Sequence, residues 1–260
     1  MITSTVQPAK AMPTIALVIE FDGTDFVGWQ YQDNGRSVQG QIQEVLTTLY
    51  KEEIKVTGSS RTDAGVHARG LVCSAKVPFV IPEDKIPFAC NALLPEDVAV
   101  VRAIRVRDDF NARFDNKGKR YIYRIYNSPF KSPMRRRFSH LVTGNLDIDK
   151  MKSAAPLFEG EHDFKAFCAA GGSQNTTVRR LSRVRVYDPD DEGIIKIEVV
   201  GEAFLYNMVR IIAGTLLYVG QGKIAVEDIP SIIASCDREK AGKTLPPEGL
   251  TLEEVFYDYE

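Results

Sequence analysis

The ten residues GKRYIYRIYN, at positions 118 to 127, carry the clearest β-strand pattern of the chain. Aromatic, β-branched and basic side chains are interleaved along them, and a strand places successive residues on opposite faces of its sheet. The predicted faces are Lys119, Tyr121, Tyr123 and Ile125 on one side and Arg120, Ile122, Arg124 and Tyr126 on the other. This segment is therefore predicted to be a strand that presents two tyrosines to one face.

The residues before this strand predict a mixture of strands and helices. The helix that follows Ser37 is amphipathic, since Val38, Ile42, Val45, Leu46 and Leu49 share one face and Ser37 is a favoured N-cap. The predicted elements are a strand over 14–21, this helix, a strand beginning at 54–57, an irregular loop over 58–70, a strand over 70–77, a helix over 82–94 that Pro87 disturbs, and a strand over 98–106.

The residues after it continue the mixture. The predicted elements are a helix from Asp147 to about 158, strands over 178–187 and 194–200, an apolar helix over 205–219, a helix over 226–235 and a strand over 250–257. The β-α-β-β-α-β order of the first half favours two α/β subdomains that share a sheet over a doubly wound fold. The expected divisions are a flexible tail over 1–13, an N-terminal subdomain over 14–128 and a C-terminal subdomain over 129–260.

Composition excludes several classes of protein. The chain has 260 residues, a net charge of −2, 44% hydrophobic and 26% charged residues, which are ordinary values for a globular protein. Disordered, collagen-like and low-complexity proteins are thereby excluded. No apolar run reaches the roughly 18 residues of a membrane span, and the first residues lack a signal-peptide core. A cytoplasmic location without membrane association is the default expectation.

Familiar cofactor and metal motifs are missing from the sequence. The four cysteines and three histidines are scattered without the close spacing of metal ligands, so no metal site is predicted. Gly242-Lys243-Thr244 resembles the end of a P-loop, but Asp237 stands where the first glycine is required. No third glycine follows Gly220 and Gly222, and no GxSxG occurs. ATPase, dehydrogenase and α/β-hydrolase activities therefore lose their main support.

The near-neutral net charge conceals a strong asymmetry. Residues 102–137 contain twelve basic and three acidic residues, whereas the residues from Glu227 onward carry nine acids and three bases. Residues 164–187 add five basic side chains and no acids. Tyrosine and phenylalanine are interleaved with the first band, and aromatic rings stack on bases while Arg and Lys bind phosphates. The pattern indicates nucleic acid, although a solvated charged surface also explains it.

Two residues stand out as candidates for chemistry. Asp63 lies in the glycine-containing loop two residues after Arg61, and in an extended chain these two side chains point the same way. A neighbouring Arg would keep Asp63 ionised well below neutral pH, although an Asx-turn would also explain the carboxylate. Arg210 interrupts the apolar helix, and a buried Arg needs a carboxylate partner unless it reaches solvent. Asp63 is one possible partner for Arg210, and a purely structural ion pair is the other.

Short motifs are spread over nearly the whole chain after Pro13. Each motif is weak alone, but together and in this order they are specific. They are FDGT at 21–24, GWQ at 28–30, RTDAGVHA at 61–68, NALLP at 91–95, ARF at 112–114, GKRYIY at 118–123, HDF at 162–164, NMVR at 207–210 and PEGL at 247–250. With these motifs the chain resembles the TruA family of tRNA pseudouridine synthases. Two departures are Asn111, where the family usually has His, and Ser59-Ser60, which replaces a common small-Gly pair.

The resemblance implies a fold, an activity and a set of site residues. The fold is α/β (α+β), with two ferredoxin-like subdomains that share a mainly antiparallel central sheet and an active-site cleft between them. The activity is isomerisation of uridine to pseudouridine in the anticodon stem-loop of tRNA, at positions 38, 39 and 40, by a homodimer without a small-molecule cofactor. The implied roles are nucleophile for Asp63, its partner for Arg210, base packing for Tyr121, the apolar pocket wall for Leu250 and further substrate contacts for Arg61, His67, Lys119 and Arg120.

Several alternatives remain open at this point. Asp63 could attack ribose C1′ or uracil C6, or remove the 2′-proton, and the residues do not choose between these routes. An RNA-binding protein without catalysis would share the basic band, although binding alone requires no ionised acid among phosphates. A pseudouridine synthase that acts on another RNA would share the motifs around Asp63.

Overall fold

A computed structural model of the chain describes residues 12–172 and 176–259. Apart from Met12 and Pro13, the predicted flexible tail lies outside these residues. The helices are α1 (Val38–Tyr50), α2 (Ile86–Asn91), α3 (Ile148–Ala154), α4 (Met208–Gly220) and α5 (Ile229–Ser235). The strands are β1 (Thr14–Phe21), β2 (Val56–Gly58), β3 (His67–Lys76), β4 (Val98–Val106), β5 (Gly118–Asn127), β6 (His140–Val142), β7 (Gly160–Asp163), β8 (Val178–Val186), β9 (Ile194–Gly201) and β10 (Leu250–Phe256).

The described strands form one large, mostly antiparallel sheet with the order β4-β1-β3-β10-β5-β9-β8-β7. Within it, β4-β1-β3-β2 and β10-β5-β9-β8 each follow the strand order of a ferredoxin-like unit. The two units meet where β10 runs parallel to β3 and antiparallel to β5. The prediction of two ferredoxin-like α/β units that share a mainly antiparallel sheet is thus confirmed.

The alternation predicted for β5 is also confirmed. Lys119, Tyr121, Tyr123 and Ile125 are buried, whereas the residues between them are only partly so. On the opposite face, Arg120 and Arg124 form ion pairs with Glu254 and Glu253 of the neighbouring β10. Strand β5 contacts β9 and β10, which come from the C-terminal part of the sequence. A domain boundary after residue 128 stays a prediction.

Local backbone chemistry explains where elements differ from their predicted bounds. The loop before β3 is shorter than predicted, because β3 begins at His67 to pair with β1 and β10. Helix α2 has only six residues, and Pro87 lies in its first turn, where a missing N–H costs nothing. Helix α4 begins at Met208 rather than 205, because Asn207 before it has a φ of 59°. The short strands β6 and β7 were not predicted.

Buried apolar side chains from both units form one continuous core. Ser37 and Asp147 cap α1 and α3 as predicted, by accepting hydrogen bonds from the backbone N–H groups of Gly40 and Lys150. No helix in the described ranges is both long and apolar enough to cross a membrane.

Candidate active site

Backbone hydrogen bonds connect the loop that carries Asp63 to the segment before α1. The Trp29 N–H donates to the Thr62 carbonyl at 3.1 Å, and Gly28 forms an isolated antiparallel bridge with Asp63. Gly28 has a φ of +115°, and a Cβ there would lie 2.5 Å from the Thr62 carbonyl oxygen. Only glycine allows so close an approach in this conformation. The GWQ motif therefore fixes the backbone on which Asp63 is presented.

Arg210 is the ion-pair partner of Asp63. Its Nη1 atom lies 3.8 Å from Asp63 Oδ2, and the side chains are 14% and 34% exposed, respectively. The Arg210 guanidinium also donates to the Leu245 carbonyl and to Asn207 Oδ1, each at 2.6 Å. These bonds hold the guanidinium at the start of α4, where it faces the carboxylate. The ion pair accounts for a charged residue at one end of an apolar helix.

The pKa of Asp63 departs from the sequence-based expectation. Burial raises it above the ordinary aspartate value, and the positive charge of Arg210 acts in the opposite direction. Arg61, which was expected to hold Asp63 ionised, is exposed and forms no ion pair with it. The spacing of two residues therefore does not produce an ion pair here, and the chain turns directly after Asp63, at Ala64 and Gly65. The Asp63 carbonyl accepts a hydrogen bond from the Val66 N–H within this turn.

Tyr121 forms the floor of the site. It projects from β5, is 6% exposed, and its hydroxyl oxygen lies 3.1 Å from Ser60 Oγ. The ring packs edge-on against Phe204, with 5.1 Å between the ring centroids. Burial raises the pKa of Tyr121 to about 12, so the phenol is protonated at neutral pH. The site therefore combines a carboxylate, a guanidinium and a neutral phenol.

These residues line a cleft of about 780 Å³ between the two units. Its walls include Gln39 of α1 on one side and the first turn of α4 on the other. This volume is within the usual range for small-molecule pockets, so the cleft is large enough for one nucleotide. Within the described ranges, Asp63 is the only acidic residue in its lining. The basic lining residues are Arg61, Arg113, Lys119 and Arg210.

The structure separates the proposed substrate contacts into two groups. Leu250, Lys119 and Arg61 line the cleft with Asp63 and Tyr121. Arg120 does not, because it follows Lys119 in a strand and therefore points to the opposite face, where it pairs with Glu254 at 3.0 Å.

His67 is the second residue outside the cleft. It is buried, and its Nδ1 atom accepts a hydrogen bond from the Gly23 N–H at 3.0 Å. Its ring packs against Phe138 at a centroid distance of 4.8 Å. Arg120 and His67 therefore lie outside the cleft that contains Asp63, and their contact with substrate stays a prediction.

The basic band is partly neutralised by ion pairs in the folded protein. Seven of its twelve basic residues form ion pairs, and several of the partners belong to the acidic C-terminal segment. Two of these pairs arise because β10 pairs with β5, which places Glu253 and Glu254 beside Arg124 and Arg120. The paired residues are Arg105, Arg107, Lys117, Arg120, Arg124, Arg135 and Arg137. The positive charge of residues 102–137 is therefore lower in the folded protein than the sequence count indicates.

The aromatic residues of the band differ in their exposure. Phe110, Tyr121 and Tyr123 are buried, whereas Phe114 and Phe130 are exposed. Tyr121 and Tyr123 lie on the inner face of β5, so part of the interleaving pattern reflects the core of the sheet.

Three residues of the site were given no role there by the sequence analysis, although Ser60 and Asn207 lie beside or within the quoted motifs. Ser60 and Phe204 contact Tyr121, and Asn207 accepts a hydrogen bond from Arg210. Asn207 carried a recognisable signal, since Asn directly before an apolar helix is a common helix-start residue that tolerates positive φ. Phe204 had none, because an aromatic residue in an apolar run is usually part of a core.

A carboxylate that is paired with a guanidinium in a concave cleft is typical of an enzyme active site. The sequence matches the family model described as tRNA pseudouridine synthase over residues 17–115 and 154–258. The chain belongs to this tRNA pseudouridine synthase family, whose members are isomerases.

Individual relatives agree with the family assignment. The tRNA pseudouridine synthase A of Ruminiclostridium cellulolyticum is 50% identical over 246 residues, which cover 95% of this chain and 100% of that protein. The protein of the same name from Acetivibrio thermocellus is 46% identical with the same coverage. Among solved structures, an archaeal box H/ACA sRNP Nop10–Cbf5 complex aligns with 78% of this chain and 43% of that chain, at 15% identity and a TM-score of 0.35. The resemblance to the TruA family is confirmed by the sequence relatives.

Proposed function

We propose that this chain converts uridine to pseudouridine in the anticodon stem-loop of tRNA, at positions 38, 39 and 40, with Asp63 as the nucleophile. The observation that carries the proposal is the 3.8 Å ion pair between Asp63 and Arg210 inside the cleft. The resemblance to the TruA family supports the choice of the anticodon stem-loop.

The reaction matches the groups in the cleft. The bond from ribose C1′ to uracil N1 breaks, the base turns, and C1′ is rejoined to C5 while the C5 proton is lost and N1 gains one. Asp63, as a carboxylate, attacks C1′ or C6 and is released when the new bond forms. Arg210 favours the ionised form of Asp63 and limits its orientation. Tyr121 packs against the uracil ring, with Leu250 as an apolar wall beside it.

The cleft accepts one nucleotide, so the target uridine has to leave its stem. Extrusion of a base costs a few kcal/mol, and phosphate contacts offset that cost. Arg61, Arg113 and Lys119 line the cleft without an acidic partner among the described residues, so they are suited to contact phosphate. We expect tRNA binding to weaken as salt concentration rises.

A homodimer is part of the proposal. The segment between β5 and β6 exposes three large apolar side chains: Phe130 at 76%, Met134 at 86% and Phe138 at 46%. Clustered exposed apolar residues mark interaction surfaces. Light scattering after gel filtration tests this point, with a monomeric mass for the wild-type protein as the contrary result. Action in the cytoplasm also stays a prediction.

Tritium release tests the catalytic proposal. Transcribed tRNA with tritium at uridine C5 is incubated with the wild-type protein, with Asp63→Asn and with Asp33→Asn. Asp33 is exposed and lies outside the cleft lining, so its variant removes the same charge elsewhere. We expect release with the wild-type and Asp33→Asn proteins and none with Asp63→Asn, while all three bind tRNA with similar Kd.

Two outcomes would change the proposal. Salt-sensitive binding without tritium release from any tRNA would favour a non-catalytic RNA-binding protein or another RNA substrate. Full release after uridines 38, 39 and 40 are replaced by cytidine would place the target elsewhere in the tRNA.

A further inference from the structure

Two hydroxyl groups meet at the floor of the cleft. Ser60 Oγ lies 3.1 Å from the hydroxyl oxygen of Tyr121, and either atom is able to donate the hydrogen bond. In the described ranges, Ser60 is the one side chain that hydrogen-bonds to the Tyr121 hydroxyl. Ser60 itself is half-buried and lines the same cleft, so its oxygen also faces the space that water and substrate share.

The reaction requires a group that removes the C5 proton once the base has been rejoined to C1′. Tyr121 packs where the uracil ring is proposed to lie, but burial keeps its phenol protonated at neutral pH. A protonated phenol accepts a proton only if it gives up its own at the same time. Its hydrogen-bond partner is the group that receives that proton.

We infer that Ser60 is a positioning residue for Tyr121, which orients the phenol and completes a two-hydroxyl proton relay from uracil C5 to the water of the cleft. As the C5–H bond breaks, its electron pair restores the ring double bond, and the proton moves to the Tyr121 oxygen. The former phenol proton passes to Ser60 Oγ, and the serine proton passes to water. N1 takes a proton from water, so the product is an isomer of the substrate and both hydroxyls are regenerated.

This inference rests on the proposed function but makes a separate claim. Asp63 and Arg210 act before the new carbon–carbon bond forms, whereas the relay acts after it. Loss of the relay should therefore slow proton removal without affecting tRNA binding or attack by Asp63. A residue that only held the Tyr121 ring in place would instead weaken substrate binding.

The test compares Ser60→Ala, which removes the hydroxyl, with Ser60→Thr, which keeps one. Rates are measured with tRNA that carries either hydrogen or deuterium at uridine C5, and circular dichroism verifies the fold of each variant. We expect Ser60→Ala to lower kcat about tenfold with KM unchanged, and to raise the C5 isotope effect because proton removal becomes rate-limiting. Ser60→Thr should restore most of kcat and the isotope effect of the wild-type protein.

The outcomes separate this inference from the proposed function. An inactive wild-type protein contradicts the proposed function itself. An active wild-type protein together with an unchanged kcat in Ser60→Ala overturns only the relay. A lower kcat whose isotope effect stays at the wild-type value, or a higher KM alone, also overturns it, because Ser60 would then serve packing and not proton transfer.

Discussion

Arg210 Nη1 lies 3.8 Å from Asp63 Oδ2, although the two residues belong to different ferredoxin-like units. Asp63 follows β2 in the first unit, and Arg210 lies in the first turn of α4 in the second. The ion pair therefore forms only when both units have folded against the shared sheet. Burial raises the pKa of Asp63, and Arg210 is the charge that opposes this rise.

Removal of the Arg210 charge should move the acidic side of the pH–activity profile to higher pH. The nucleophile has to be ionised, so activity falls as pH decreases through the pKa of Asp63. In Arg210→Met the opposing charge is gone, the pKa of Asp63 rises further, and the acid limb of kcat/KM moves to higher pH. Arg210→Lys should move it less. Single-turnover rates from pH 5 to pH 9 measure the shift.

Arg113→Met is the matched control for this prediction. Arg113 also lines the cleft but forms no ion pair with Asp63. Its variant should weaken tRNA binding and leave the acid limb where it is in the wild-type protein. Equal shifts in both variants would mean that general charge in the cleft, and not the specific pair, sets the pKa of Asp63.

Gly28→Ala tests how the Asp63 loop is held. The new Cβ would lie 2.5 Å from the Thr62 carbonyl oxygen at a φ of +115°, so the bridge to Asp63 has to open. We expect a loss of about 2–4 kcal/mol in the free energy of unfolding and a large loss of kcat. Urea denaturation and tritium release measure the two effects.

Gly144→Ala separates backbone strain from steric conflict. Gly144 has a φ of +89°, and a Cβ added there would have no neighbour within 4 Å in the described part of the chain. It should lose only about 1 kcal/mol, from the conformational cost of a left-handed residue, and retain activity. If Gly28→Ala and Gly144→Ala lose the same free energy of unfolding, the close approach of Gly28 to the Asp63 loop makes no contribution to stability.

Local periodicity was sufficient to predict most of the fold. The β-branched run of β1 and the alternation in β5 are short-range patterns, and both strands form where they were predicted. Bounds that depend on distant partners were less accurate. Strand β3 begins early because it pairs with β10, 184 residues further along the chain, and no local pattern reports such a pairing.

The site was predictable only in part for the same reason. Asp63 and Arg210 stood out because each charge departs from the pattern around it: Asp63 lies in a glycine-rich loop, and Arg210 lies in an apolar helix. The choice of partner did not follow from spacing, since Arg61 is nearer in sequence but Arg210 is nearer in space. Charge counts along the sequence overestimated the basic surface, because acidic residues of β10 form ion pairs with basic residues of the neighbouring β5.

Tyr121→Phe should leave the fold and tRNA binding intact. The ring and its contact with Phe204 are retained, and the change removes only the hydroxyl that bonds to Ser60. We expect the free energy of unfolding to change by about 1 kcal/mol and Kd to change little, whereas kcat falls strongly. Circular dichroism and filter binding measure the first two quantities. A collapsed fold would show that Tyr121 is primarily a core residue.

Lys119 should make stability depend on pH in a defined window. Its side chain is 8% exposed, its ammonium donates to Asn116 Oδ1 at 3.2 Å, and burial lowers its pKa to about 8 from an ordinary value of 10.5. Between these values the unfolded chain binds more protons than the folded protein, so stability rises with pH through the window. Below pH 8 the Lys119 ammonium is charged in the folded protein, and its burial lowers the free energy of unfolding by the full amount.

Lys119→Met removes that cost. We expect its free energy of unfolding at pH 7 to exceed that of the wild-type protein by about 2 kcal/mol, and the difference to vanish as pH rises toward 10.5. Lys117→Met is the control, because Lys117 lies in the same segment but is exposed. Urea denaturation at pH 7, 8, 9 and 10 follows the difference. A gap between Lys119→Met and the wild-type protein that stays constant with pH would mean that packing of the new methionine, and not the titration of Lys119, accounts for the gain.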